Sequence, residues 1–177
     1  MLLQGEYTSI NRWIREGTVD FGFTNLHTVT GLTARSLYRD EMAAVLPTAH
    51  PLAAQPEVTM GQLAKEPLIL LDEGASSVAL ETFSQQGLTP QIEYQVYDDY
   101  SILAMVQQGL GVSILYRLVL TGFGERVAVR PIAQAPQRTV ALAWRDWETM
   151  PLAARRFADF ILRHAPERLE DLLAGRE

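Results

Sequence analysis

The sequence contains no cysteine, which removes a whole class of chemistry. Disulfide bonds, thiolate zinc sites and cysteine nucleophiles are all excluded. Only three histidines are present, His27, His50 and His164, and none has the spacing of metal ligands. We find no nucleophile–base pair and no pair of catalytic acids at a useful spacing. The sequence therefore predicts no catalytic residue, no metal site and no cofactor, and the chain is not expected to be an enzyme.

The sequence also lacks clustered positive charge and long apolar runs. Fifteen lysines and arginines stand against 21 aspartates and glutamates, which gives a formal net charge of −6. Because nucleic-acid binding needs clustered basic residues, this chain by itself is a poor candidate for it. No apolar run could span a bilayer, and the N-terminus lacks the features of a signal peptide. We therefore expect a cytoplasmic protein without a membrane partner.

What the sequence does contain is an alternation of strand and helix patterns, which favours an α/β architecture. The predicted helices are Ser9–Glu16, a short one opened by a Thr59–Gln62 capping box, Val78 to Gly87, Asp98 to Gly109, and a last helix that begins at Pro151 and is broken by Pro166. The predicted strands are Val19–Phe23, Leu37–Leu46 (in two pieces or with a bend), Leu68–Leu71, Gln91–Tyr97, Val112–Leu115, Val127–Ile132 and Arg138–Trp144.

The segment Asp98–Leu115 is the clearest helix-to-strand unit. Asp98 or Asp99 can cap the helix start, because a short carboxylate accepts hydrogen bonds from free N–H groups of the first turn. Gly109 and Gly111 are expected to end the helix before a buried strand. Such a helix start can hold a small polar or anionic ligand. The alternative is that the start binds only its own cap and water, as most do.

Two other segments place polar residues where a strand ends. Thr24 and Asn25 follow a predicted strand, and ligands collect beyond the carboxyl ends of strands in open α/β sheets. Gly74, Ser76 and Ser77 lie between a buried strand and the next helix, where small residues let a ligand approach the backbone. A simple turn at the first segment and plain helix caps at the second are the alternatives.

The order of the elements predicts two lobes. The strand–helix series of residues 48–117 is bracketed by residues 1–47 and 118–177, which must pair with each other. This pattern is typical of two lobes that are joined by two crossover strands and separated by a cleft.

Four motifs resemble the effector-binding domain of LysR-type transcriptional regulators. They are Asp40–Ala53 with Leu-Pro followed by His-Pro-Leu, Leu63–Ile69, Phe83–Pro90 and Met105–Leu115. Arg138–Leu142 and the predicted helix Phe157–Leu162 complete the pattern. The resemblance covers nearly the whole chain. It implies a type II periplasmic-binding-protein-like fold with two α/β lobes, two crossover strands and an inter-lobe cleft. Residues 1–47 and 118–177 would form the near lobe, incomplete at its N-terminus, and residues 48–117 the far lobe.

The resemblance also implies a function. A small-molecule effector would bind in the cleft of a homodimer or homotetramer, and DNA would be bound only by a helix-turn-helix domain that precedes this domain in the family. Helix starts and hydroxyl groups favour a polar, carboxylate-bearing effector. Because Asp72, Glu73, Asp98 and Asp99 lie in the same region, an amino-acid-like ligand or a mostly neutral one fits about as well. The candidate contacts are Thr24, Asn25, Gly74, Ser76, Ser77, Asp98, Asp99 and Tyr116, the last of which replaces the family's usual proline. The alternative function is a solute-binding protein of a transport system, which has the same fold.

Overall fold

A computed structural model describes residues 1–74, 77–121 and 126–173. The helices are α1 (Tyr7–Glu16), α2 (Met60–Leu63), α3 (Val78–Gln85), α4 (Asp99–Gln107), α5 (Arg117–Leu120) and α6 (Leu152–Leu173), with 3₁₀ turns at Leu26–Thr28 and Pro51–Ala54. The strands are β1 (Phe21–Asn25), β2 (Thr33–Leu46), β3 (Pro67–Leu71), β4 (Gln91–Val96), β5 (Val112–Tyr116), β6 (Ala128–Pro131) and β7 (Gln137–Trp144). Within these described residues, none of the helices is long and apolar enough to cross a membrane.

The chain divides into two compact units. The first unit comprises residues 1–40 and 138–177, and the second comprises residues 41–137. Residues 41–47 and 118–137, which the sequence assigns to the near lobe, therefore lie in the second unit. The reason is strand pairing, because the C-terminal part of β2 is hydrogen-bonded on one side to β5 and on the other to β6.

The second unit is built on a mixed sheet. β2 pairs antiparallel with β5 and with β6, whereas β3 pairs parallel with β4 and with β5. Alternate residues of β2, β3 and β5 enter two separate apolar clusters, one shared with α2 and α3 and the other with α4. Both faces of these strands are therefore covered, which explains their nearly continuous apolar sequences.

Two glycines after α4 have different roles. Gly109 adopts a left-handed conformation (φ 75°) and ends the helix, as predicted. Gly111 instead allows close packing, since a Cβ atom there would lie 2.5 Å from the carbonyl oxygen of Pro67. β5 can approach β3 at this point only because position 111 has no side chain.

The first unit is a smaller assembly in which α1 packs on β1 and β1 pairs antiparallel with β7. Its core consists of residues from β2, β7, the segment before α6, and α6 itself. The buried members are Leu37, Leu142, Trp144, Met150, Ala158 and Ile161. Thr24 and Asn25, which were predicted to follow β1, are its last two residues.

β2 is one continuous strand of 14 residues, which corrects the prediction of two strand pieces; the alternative of a bend stays a prediction. The charged residues in its middle do not interrupt it. Asp40 is fully buried, and its carboxylate lies 2.8 Å from a guanidinium nitrogen of Arg138 on β7. A charge that is compensated in this way can remain inside a sheet.

α6 corrects two further predictions. The helix continues through Pro166 rather than ending there. Phe157 and Phe160, which were expected in its buried stripe, are each 58% exposed, whereas Ala158 and Ile161 are buried. The buried face follows the small residues Ala154, Ala158 and Ala165, which allow α6 to lie close against the strands, and not the largest apolar side chains.

Candidate functional site

The carboxyl ends of β3, β4 and β5 meet at one edge of the second unit, because these three strands are parallel. Asp72 follows β3, and its backbone N–H donates to the Val96 carbonyl at the end of β4, at 2.9 Å. The Gln95 side chain donates to the Asp72 carboxylate at 3.0 Å. The loops that lead into α3 and α4 therefore begin side by side.

The start of α3 is held by two side-chain caps. The Ser77 hydroxyl accepts from the N–H of Leu80 at 3.4 Å, and the Glu73 carboxylate accepts from the N–H of Val78 at 3.2 Å. Gly74 adopts φ 85°, and its N–H donates to Asp72 at 2.9 Å. Ser76, a predicted contact, lies outside the described residues. The loop thus brings Gly74 and Ser77 to the helix start.

The start of α4 is capped by Asp98, as the sequence predicts. One oxygen of its carboxylate accepts from the hydroxyl and from the backbone N–H of Ser101, both at 2.7 Å. These hydrogen bonds hold the pKa of Asp98 below its ordinary value, and the bond from the Ser101 hydroxyl makes the largest contribution. Asp99 is the first residue of the helix. The α4 start therefore carries a firmly ionised carboxylate.

Tyr116 and Glu73 join the end of β5 to the start of α3. Tyr116 is fully buried, and its hydroxyl donates to Glu73 at 2.8 Å. Glu73 itself is only 9% exposed. Sequence reasoning names Tyr116 as a direct contact; the structure places its ring in the apolar core and its hydroxyl on Glu73. Glu73 was not among the candidate contacts, although its position in the loop between a buried strand and a helix was a usable signal.

In the first unit, the predicted residues Thr24 and Asn25 belong to a buried polar cluster. The Asn25 side chain accepts from the N–H of His27 at 3.3 Å. Thr28 donates its hydroxyl to the Asn25 carbonyl at 2.8 Å and lies 3.4 Å from the Thr24 hydroxyl. Thr24 and Asn25 are 1% and 4% exposed. The end of β1 is therefore closed by a polar 3₁₀ turn.

Asn11 completes this cluster from α1. Its side-chain amide donates to the carbonyl and to the hydroxyl of Thr28, at 3.1 and 3.2 Å. The Asn11 side chain is 97% shielded, and among the described residues its Oδ1 atom has no hydrogen-bond partner. Sequence reasoning missed Asn11 and Thr28. The available signal was a polar residue on the same helix face as the buried Ile14.

The structure thus gathers the candidates into two groups. Gly74, Ser77, Asp98, Asp99 and Tyr116 share the carboxyl edge of the second unit, and Thr24 and Asn25 share the cluster of the first unit. Among the residues that the structure describes, no group of three His, Asp or Glu residues could hold a metal ion.

Comparisons with known proteins identify the family. The family model described as the LysR substrate binding domain matches residues 1–166. An uncharacterized HTH-type transcriptional regulator of Bacillus subtilis, YvbU, is 30% identical over 161 residues, which are 90% of this chain and 55% of that protein. The chain therefore spans about half the length of the curated relatives that it matches.

Solved structures agree. HinK, a LysR family transcriptional regulator from Pseudomonas aeruginosa, is 26% identical with a TM-score of 0.78, over 93% of this chain and 60% of that one. The effector-binding domain of QuiR, solved in complex with shikimate, has the same fold, with a TM-score of 0.80 at 21% identity over 94% and 81% of the two chains. This is the type II periplasmic-binding-protein-like fold that the resemblance predicted. The chain belongs to the LysR substrate-binding domain family.

Proposed function

We propose that this chain is the effector-sensing domain of a LysR-type transcriptional regulator and that it binds a small metabolite. The observation that carries this proposal is the carboxyl edge of the second unit. There the starts of α3 and α4 follow neighbouring parallel strands, and ordered caps hold both starts in place. Preorganised backbone and side-chain groups of this kind bind a ligand without a further ordering cost.

The chemistry of this edge favours a carboxylate-bearing or amino-acid-like effector. Helix starts direct partial positive charge outward, which suits a carboxylate. Four acidic side chains lie around the same loops and suit an amine: Asp72, Glu73, Asp98 and Asp99. A molecule that carries a carboxylate and an amine suits the helix starts and the acidic side chains together. The proposed contacts in the second unit are Gly74, Ser76, Ser77, Asp98 and Asp99, with Tyr116 acting through Glu73, and those in the first unit are Thr24 and Asn25.

The remaining parts of the proposal concern the whole protein. The matched residues of this chain cover 55% and 56% of two curated relatives, whose names describe HTH-type regulators. The net charge of −6 on this chain is poorly suited to binding DNA. DNA binding is therefore assigned to a helix-turn-helix domain, and this chain acts by binding rather than by catalysis, in a cytoplasmic homodimer or homotetramer.

Thermal unfolding with a panel of carboxylates, amino acids and hydroxy acids tests this function. A ligand at 100 times its Kd stabilises the folded state by about 2.7 kcal/mol. For a chain of this size we expect the melting temperature to rise by roughly 5–10 °C. Native mass spectrometry of the purified chain reports the subunit number and any co-purified ligand. If no compound raises the melting temperature and no ligand co-purifies, the proposal fails.

A pair of cap variants localises the site once a ligand is found. Ser77→Ala removes the cap at the start of α3, and Thr59→Ala removes the comparable cap of α2, which precedes β3. Both variants lose a helix cap, at a cost of about 1 kcal/mol. Only Ser77→Ala is expected to weaken ligand binding, by about tenfold. If the two variants bound the ligand with equal affinity, the ligand would not bind at the start of α3.

A further inference from the structure

A buried ion pair lies in the first unit, at the two positions where the chain leaves this unit and returns to it. Asp40 on β2 is the last residue of the first unit before the chain enters the second, and Arg138 on β7 is the first residue after it returns. The Nε and Nη2 atoms of Arg138 donate to one carboxylate oxygen of Asp40, at 3.2 and 2.8 Å. Asp40 is fully buried and the Arg138 side chain is 15% exposed. The pair therefore joins β2 and β7 at the last residue before the chain leaves the first unit and the first residue after it returns.

The same guanidinium reaches α1. Its Nη1 atom donates to the Tyr7 hydroxyl at 2.6 Å. Tyr7 begins α1, and Asn11 follows four residues later on the same face of the helix. Asn11 in turn donates to Thr28 in the polar cluster at the end of β1. One helix face is thus hydrogen-bonded through Tyr7 to Arg138 and through Asn11 to Thr28, whose hydroxyl donates to the Asn25 carbonyl.

Arginine is suited to this position. Its planar group carries donors on separate edges, so that Nε and Nη2 serve the carboxylate while Nη1 serves the phenol. A lysine ammonium would supply charge but not this fixed geometry. A fully buried carboxylate also requires a compensating partner, which limits the ways in which β2 can move relative to β7.

We propose that Arg138 is a positioning residue: it fixes β2 against β7 where the chain leaves the first unit and returns to it, and it ties both strands to α1. A change at the Thr24–Asn25 cluster then reaches β2 and β7 through α1. The use of this link in effector sensing depends on the proposed function. The positioning role does not, and it is tested without any ligand.

The test measures the distance between the units by pulsed electron paramagnetic resonance. Since the chain has no cysteine, two spin labels can be placed on exposed residues, with Gln85→Cys in the second unit and Thr149→Cys in the first. Asp40→Asn/Arg138→Gln removes both charges together, so that no uncompensated charge stays buried. The control Asp159→Asn/Arg163→Gln removes the exposed 2.7 Å ion pair of α6. We expect the distance distribution to broaden about twofold in the first double variant and to stay unchanged in the control.

Two single variants keep the test decisive. If the double variant does not fold, Arg138→Lys provides the same measurement with the charge retained, and broadening is again expected. Tyr7→Phe removes only the contact with α1, and it should speed amide hydrogen exchange in β2 and β7 by about tenfold without changing exchange in α3. A merely structural role would lower the melting temperature and leave the distances as in the parent. That result would overturn the proposal, whereas a failure to find an effector would overturn only the proposed function.

Discussion

The starts of α3 and α4 in the second unit and the buried polar side chains of the first unit find their hydrogen-bond partners at different distances along the chain. In the second unit, each of these two helix starts is capped by a side chain that lies three to five residues before the N–H group it accepts from. Asp98 accepts from the N–H of Ser101, and Glu73 accepts from the N–H of Val78. In the first unit, Asn11 finds its partner 17 residues away and Arg138 finds Asp40 98 residues away. The starts of α3 and α4 are thus capped by local contacts. The polar interior of the first unit exists only once distant segments have come together.

Their exposed apolar residues differ as well. The second unit exposes mainly tyrosines, namely Tyr94, Tyr97 and Tyr100, whose hydroxyl groups remain compatible with water. The first unit exposes side chains without polar atoms, namely Phe23, Leu152, Phe157 and Phe160. The second unit is therefore the more self-contained of the two, and the following variants test that contrast.

The largest effect is expected for the buried ion pair of the first unit. Arg138→Met leaves the buried Asp40 carboxylate without this cation, which costs about 3–5 kcal/mol of unfolding free energy. Arg163→Met removes the cation of an exposed pair in the same unit and should cost less than about 1 kcal/mol. Urea denaturation measures both values. If both variants lost the same unfolding free energy, the buried long-range pair would contribute no more to the first unit than the exposed pair does.

Close packing in the second unit gives the next effect. Gly111→Ala would place a Cβ atom 2.5 Å from the Pro67 carbonyl oxygen and should destabilise the fold by about 1–3 kcal/mol. Gly61→Ala in α2 meets only the Thr59 hydroxyl, at 3.9 Å, and should be neutral or stabilising by up to about 1 kcal/mol. Urea unfolding curves compare the two. A neutral Gly111→Ala would mean that the parallel strands can separate without cost.

Tyr116→Phe tests a long-range polar contact at the candidate site of the second unit. It removes the hydroxyl that donates to the buried Glu73, and we expect a loss of about 1–3 kcal/mol. Tyr94→Phe, on an exposed ring of β4, should change stability by less than about 0.5 kcal/mol. Chemical denaturation of both variants, with ligand binding measured in parallel, separates a role of Tyr116 in folding from one in binding.

The smallest effect concerns acid stability, where we expect the two units to agree. Glu6 caps α1 and Asp98 caps α4, and hydrogen bonds from Ser9 and Ser101 lower their pKa values. A lowered pKa adds stability above the pKa of the unfolded chain, and this contribution is lost as the pH falls through the folded pKa. Glu6→Gln and Asp98→Asn should each flatten the decline of stability below about pH 5. Denaturation at several pH values measures how steeply the unfolding free energy falls with pH. A steeper fall in either variant than in the parent would contradict a lowered pKa of the cap.

The parts of the molecule that the sequence predicts correctly are the local ones. The Thr59–Gln62 capping box, the Asp98 cap and the Gly109 helix end each depend on residues that are close together in the sequence. Each motif that carries the family resemblance is likewise a stretch of consecutive residues. The family and the fold could therefore be recognised from the sequence.

The parts that sequence reasoning missed depend on tertiary contacts. Nothing near Asp40 shows that Arg138 will neutralise it, so the charged middle of β2 looked like an interruption. Glu73 and Tyr116 are 43 residues apart, and only the parallel pairing of β3 with β5 brings them together. The stripe of α6 was misassigned because side-chain size does not determine which helix face packs against a sheet.

The fourteen-residue length of β2 constrains how this chain can change over evolution. Side chains alternate between the two faces of a strand, so inserting or deleting one residue within residues 33–46 would turn Leu37 outward or expose Met42 and Ala44. Such a change would disrupt the apolar cores of both units, since Leu37 belongs to the first and Met42 and Ala44 belong to the second. Length differences between relatives should accordingly accumulate in the loops and leave this strand untouched.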